Sequence, residues 1–180
     1  MRRKFYDIPG HIHFITFSCV HHLHLLSDHG VCCWLAEEMA QAFSSQQIRL
    51  YAYVFMPEHV HLLIHPSSED YSISLILRSI KGPFSRKVLD HWRETGDRRL
   101  AQLIVQTGAR AYYRFWQAGG GFDRNLSDVR KVVQATEYIE ANPVRRGLVM
   151  EPECWLWSSA CIRVGRAGGP LRIDQLDLTP

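Results

Sequence analysis

Residues 48–65 read IRLYAYVFMPEHVHLLIH. Two runs rich in β-branched and aromatic residues, 48–56 and 59–65, flank Pro57-Glu58, and such runs favour extended chain. A connection this short joins only antiparallel neighbours, so the stretch predicts a β-hairpin at the centre of a sheet. Working outward, HIHFITFSCV at 11–20 reads as an earlier strand. Ser27 or Asp28 can cap a helix whose Val31, Cys32, Leu35, Met39, Ala42 and Phe43 share one face. A second helix is expected over 72–94, broken or kinked at Gly82-Pro83. Residues 96–110 show no clear period. AYYRFWQ at 111–117 reads as a fourth strand, Gly119-Gly120-Gly121 as a flexible turn, and 127–142 as a helix ended by Pro143.

The order β-α-β-β-α-β-α predicts an α+β fold, a ferredoxin-like sandwich with an antiparallel sheet plus a C-terminal helix. One sheet face is expected to pack the helices while the other stays open. The 180 residues suit one domain, read as 1–160 with a tail at 161–180. Apolar residues at 46% and charged residues at 22% exclude a disordered chain. No apolar run approaches a membrane span, and the N-terminus lacks a signal-peptide pattern, so a cytoplasmic place is expected. Five cysteines without CxxC spacing argue against a disulfide framework or a zinc-thiolate site.

Charge is uneven. Residues 78–146 carry 14 Lys/Arg against 7 Asp/Glu, while the whole chain is only +3. A phosphate-facing surface and ordinary solvated helix faces explain this equally well.

Alternation along a strand sends His59 and His61 to one face and Val60 to the core. Two imidazoles on neighbouring rungs can share one divalent ion. His65 lies roughly 13 Å further along and cannot join it. The motif HxH is weak alone, since His11 and His13 form another pair, read as structural, with His13 able to share the site's face. A histidine-triad hydrolase needs a third alternate histidine, and Leu63 stands there.

On the last helix Val129, Val132, Val133, Thr136 and Ile139 form an apolar stripe, and Tyr138 falls nearly opposite. A packing tyrosine and a functional one remain equal at this point. The neighbouring Asn142, Gln134 and Lys131 make the face polar. A phenol is a poor nucleophile near neutrality and needs a metal to withdraw charge from the phosphodiester it attacks. His59, His61 and the Asn142 amide oxygen would leave open positions on Mg2+ or Mn2+. Trp116 with Arg110, Arg114, Arg124 and Lys131 is the expected DNA-binding set, with core packing as the alternative for the aromatics.

The stretches Tyr53–His61 (YVFMPEHVH), Arg114–Gln117 (RFWQ), Phe122–Asn125 (FDRN), Tyr138–Val149 (YIEANPVRRGLV) and Trp155–Ala160 (WLWSSA) resemble the REP-associated tyrosine transposases, within the single-tyrosine HUH transposases. The resemblance spans about 10 to 160. It implies His59 and His61 as metal ligands, Tyr138 as nucleophile and Asn142 as a helix-borne ligand. It implies cleavage of single-stranded DNA near a hairpin through a 5′-phosphotyrosine link, with Mg2+ or Mn2+ and strand transfer without ATP. The partner expected is single-stranded DNA carrying a REP-like or transposon-end hairpin, met in the nucleoid, with a homodimer open. Two readings compete: a DNA-binding protein of this fold that no longer transposes, and a small-molecule phosphoesterase.

Overall fold

The computed structural model describes residues 6–119, 121–166 and 171–176. Gly120 of the expected glycine turn and parts of the expected tail, 167–170 and 177–180, lie outside the described residues.

The predicted hairpin forms as β2 (Ile48–Phe55) and β3 (His59–Pro66), antiparallel with Phe55 opposite Val60. A register shift between Leu50 and Ala52 inserts Tyr51 as an extra residue. The first strand, β1 (Ile12–Ser18), pairs antiparallel with β3, placing Thr16 opposite His61 and Ser18 opposite His59. Three helices flank this frame: α1 (His29–Ser45), α2 (Ile73–Thr95) and α3 (Val129–Arg145). Asp28 is the α1 cap, its carboxylate accepting from the Gly30 and Val31 amides.

The fourth strand is not 111–117. Residues 104–107 (β4) and 110–113 (β5) form a separate two-stranded ribbon, and the sheet's remaining edge is β6 (Phe122–Leu126). The reason is tertiary: Phe115 and Trp116 are drawn into the core against Phe17 and Phe84, and the residues before them pair with β4 instead of the sheet. The order β2-β3-β1-β6, antiparallel throughout, is the ferredoxin-like sheet.

Neither proline ends its helix. α2 continues through Pro83 because one lost hydrogen bond is outweighed by burying Ile76, Leu77, Ile80, Phe84, Val88 and Trp92. α3 runs past Pro143 to Arg145, with Asn142 Nδ2 donating at 2.7 Å to Tyr138 O and reaching to 3.5 Å of Ile139 O, the carbonyl that Pro143 leaves without its amide. α2 does end at Gly96, whose φ of 66° is the left-handed turn glycine adopts freely.

The second sheet face is not open. Ile15, Phe17, Val60, Leu62 and Ile64 face α1 and α2 in one core, while Val54, Met56, Leu63 and Leu126 meet Val132 and Ile139 of α3 in another. Leu63, where a histidine-triad enzyme would need its third histidine, fills this second core. Along β2's outer edge Phe55 N donates to Trp157 O and Val54 bridges Ser158, ahead of the short helix α4 (Ser159–Arg163). Asp174 continues that edge by bonding Leu50 through both backbone and carboxylate.

Candidate functional site

β3 alternation puts His59 and His61 on the α3 side, and Val60 fully inside the opposite core. Their Nε2 atoms converge to 3.0 Å. The other ring nitrogens are occupied. His59 Nδ1 lies 3.1 Å from Glu58 Oε1, and His61 Nδ1 lies 2.6 Å from Thr16 Oγ1. Nδ1–H donation outward from each ring is the tautomer that would free both Nε2 atoms for a metal, as outer partners do for metal-binding histidines.

Electrostatics support neutral rings. His61 is 6% exposed, and burial followed by the adjacent His59 pushes its pKa down to about 3. Burial also lowers His59, against the pull of Glu58. For Glu58, burial works to raise the carboxyl, but His59 and Arg146 outweigh it and hold it below its usual range. Arg146 Nη1 donates to Glu58 Oε1 at 2.9 Å. Glu58 therefore joins the first histidine to the C-terminal end of α3.

Tyr138 is 41% exposed, at the flank of α3 and not opposite its buried face. The buried stripe runs through Val132, Ile139, Asn142 and Pro143, whereas Val129 is exposed. Tyr138's ring centroid is 5.8 Å from that of His61 and 5.9 Å from that of Phe14, each edge-on. The Arg145 guanidinium sits 4.9 Å above the ring. Asn142 is 8% exposed, one turn beyond Tyr138 and one turn before Arg146. Those two neighbours touch His61 and Glu58, so this stripe of α3 runs along the histidine pair. With Nδ2 committed to helix carbonyls, Asn142 presents Oδ1 as its remaining acceptor.

The donor set passes a test for a hard divalent ion. Two ligands at about 2.1 Å on adjacent octahedral positions stand about 3.0 Å apart, which is the separation of the two imidazole nitrogens. Among the described residues no group of three His, Cys, Asp or Glu side chains is placed to hold a metal. A further protein ligand from another donor type would be an amide oxygen such as Asn142 Oδ1.

The expected DNA-binding residues divide. Arg124 is exposed and pairs opposite Phe14, on the histidine face. Lys131 is exposed on α3, two turns before Tyr138. Arg110 belongs to the separate ribbon, and Arg114 follows directly after it. Trp116 cannot stack on a base: at 4% exposure it packs against Phe17, Phe84 and Phe115. His13 also leaves the site's face. It is buried toward α2, with Nδ1 2.9 Å from Asp123 Oδ1 and Nε2 2.7 Å from Tyr71 Oη. Thr16, Glu58, Arg145, Arg146 and the Phe14–Phe122 pair are site residues that sequence reading passed over. Glu58 and Arg146 stood inside two recognised motifs, but only the strand and helix packing joins them.

The family of IS200-like transposases matches residues 9–108, more than half of the chain, and the chain belongs to it. The matched stretch contains both histidines and stops before Tyr138. Among solved structures, a REP-associated tyrosine transposase bound to a REP hairpin is 19% identical with a TM-score of 0.67, covering 98% of this chain and 95% of that one. A candidate transposase from Deinococcus radiodurans R1 is 17% identical with a TM-score of 0.47, covering 78% of this chain and 95% of that one. No curated protein matches the sequence. Among the described residues, no helix is long and apolar enough to cross a membrane.

Proposed function

We propose that this transposase cleaves and rejoins single-stranded DNA beside a hairpin, with Tyr138 as nucleophile. The observation that carries this reading is the meeting of three side chains from one chain. His59 and His61 turn their Nε2 atoms together at 3.0 Å, and the Tyr138 ring stands 5.8 Å from His61. A single copy thus holds both halves of the site, so cleavage needs no tyrosine from a second subunit.

His59, His61 and Asn142 Oδ1 would hold Mg2+ or Mn2+. The bound ion would supply Lewis acidity, drawing charge from the phosphodiester oxygens. The chain's own residues do the rest. Thr16 and Glu58 fix the two imidazoles, and Arg145 sets positive charge over the phenol ring, beside the phosphate it would attack. Arg124 and Lys131 lie on the same side and hold flanking phosphates. Tyr138 Oη forms a bond to phosphorus, the bond to the 3′ oxygen breaks, and that oxygen leaves with a proton as a 3′-hydroxyl. The 5′-phosphotyrosine keeps the phosphodiester's energy, so another strand's 3′-hydroxyl can reverse the step and release the tyrosine.

A retained fold used only for binding DNA would have no use for buried, oriented, neutral imidazoles, which favours retained chemistry. All proposed site residues lie within 1–160. The test uses a labelled hairpin-bearing single strand with Mn2+. The wild type should yield a covalent adduct mapping to Tyr138, while Tyr138→Phe binds DNA and yields none. Full cleavage by Tyr138→Phe, or an adduct on Tyr112 or Tyr113, overturns the mechanism.

A further inference from the structure

Between Arg98 and Phe122 the chain carries four arginines (Arg98, Arg99, Arg110, Arg114) and no Asp or Glu. This segment builds the β4–β5 ribbon. Ile104 pairs with Tyr113 and Thr107 with Arg110, and every β5 residue is exposed. Two adjacent exposed tyrosines and an exposed Ile104 are costly to leave on a surface that serves no partner.

Both rings are occupied by cations. The Arg114 guanidinium lies 5.1 Å from the Tyr112 centroid and donates to its Oη. The Arg93 guanidinium lies 5.3 Å from the Tyr113 centroid, steadied by Asp90. Arg99, by contrast, is consumed by Asp97 and Asp28. A base seeking to stack would find one face of each tyrosine taken. The arrangement instead holds guanidinium groups at a fixed height, suited to phosphates.

The ribbon is rooted beside the histidines. Gln117 N donates to Ser18 O, Trp116 bridges Cys19, and Cys19 N donates to Glu58 O. It therefore rises from the sheet end where His59 sits. Four residues per strand give a length of about 13 Å, and two strands a spacing of about 4.8 Å. A two-stranded ribbon of this breadth enters the major groove, about 12 Å wide.

We propose that the β4–β5 ribbon grips the duplex stem of the hairpin, lying in its groove with Arg110 and Arg114 on the flanking phosphates. This rests on the reading above, that the chain cleaves a single strand beside a hairpin; the ribbon would measure the distance from stem to cleavage site.

The test compares fluorescein-labelled hairpins of several stem sequences with stemless strands carrying the same flank. Wild type, Arg110→Gln/Arg114→Gln and Arg110→Lys/Arg114→Lys are titrated over a range of salt. The wild type should prefer the stemmed probes. The glutamine variant should lose about tenfold on them, with the salt slope falling by about 2, and the ratio of stemmed to stemless affinity should collapse. The lysine variant should recover most of the loss, because charge on phosphate is what the site uses. An unchanged ratio overturns the proposal, and so does an equal loss on both probes, which would mean that the ribbon holds the single strand. A dimer that becomes monomeric in sedimentation while the ratio stays constant also overturns it, in favour of an interface between copies. Wild-type protein that binds neither probe and forms no adduct defeats the parent reading as well. Wild type that cleaves while the glutamine variant matches it on every probe defeats the ribbon alone.

Discussion

Replacing Glu58 by Gln removes one charge and almost no volume, and it isolates what that carboxylate does for His59. Glu58 is 6% exposed, and its Oε1 serves His59 Nδ1 at 3.1 Å and Arg146 Nη1 at 2.9 Å. Its Oε2 is buried without a hydrogen-bond partner. The Gln oxygen can keep both bonds at Oε1, but the His59 bond is then neutral and falls from about 1.5–3 kcal/mol to about 0.5–1.5, while the Arg146 bond keeps its cationic donor and loses only the ion pair. Arg146 is half exposed, so its share is screened. The net loss of stability should be about 1–2 kcal/mol in denaturant unfolding. Mn2+ affinity should fall further, about 10- to 100-fold, because the carboxylate holds His59 in the tautomer and orientation that binds metal. Titration calorimetry with Mn2+ on the DNA-free protein reads this directly. Stability lost while Mn2+ affinity stays at the wild-type value would refute the reasoning, leaving Glu58 as a strut between β3 and α3. No change in either quantity would show that the Glu58 contacts carry nothing.

Other outcomes follow from single residues. A Cβ on Gly121, at φ +85°, would stand 2.0 Å from Thr16 O, while Gly119, at φ +94°, has open space around it. Gly121→Ala should therefore destabilise well beyond the roughly 1–2 kcal/mol expected of Gly119→Ala in thermal unfolding, and comparable Tm losses would contradict this. Trp116→Ala should cost about 3–5 kcal/mol, as core aromatics do; a folded variant of near wild-type Tm that fails only on single-stranded DNA would restore a stacking role. Lys81, set against the Phe17 and Trp116 rings, has its pKa lowered by burial from the usual 10.5 to about 8. The unfolded chain then binds the extra proton between those values, so stability should rise with pH across pH 8–10.5, by on the order of 3 kcal/mol. Lys81→Met should remove that rise, and an identical pH profile in the variant would count against the buried ammonium.

Periodicity and turn chemistry were enough to read the central hairpin, both early helices and the face that His59 and His61 share, because strand alternation and helical spacing are local properties. The same local logic separated Val60 from its neighbours. It erred where a distant core competed with local preference. Phe115 and Trp116 reach for Phe84 and Phe17, so residues 110–113 became a ribbon and Phe122–Leu126 took the sheet edge. His13 turned toward Tyr71 and Asp123 because strand register, which no local pattern encodes, fixed its side. Pro143 did not stop α3, since Asn142 serves the carbonyls around it and Ile139 stays packed. Tyr138, Asn142 and the two histidines were legible as candidates. Their meeting was not, because a contact between residue 61 and residue 138 depends on how α3 crosses the sheet. Thr16 stands behind His61 through the β1–β3 register, and Glu58 links His59 to Arg146 only through that crossing. Chemistry-bearing residue types can be read along one chain; the distances that let them act together are set by packing between segments far apart in it.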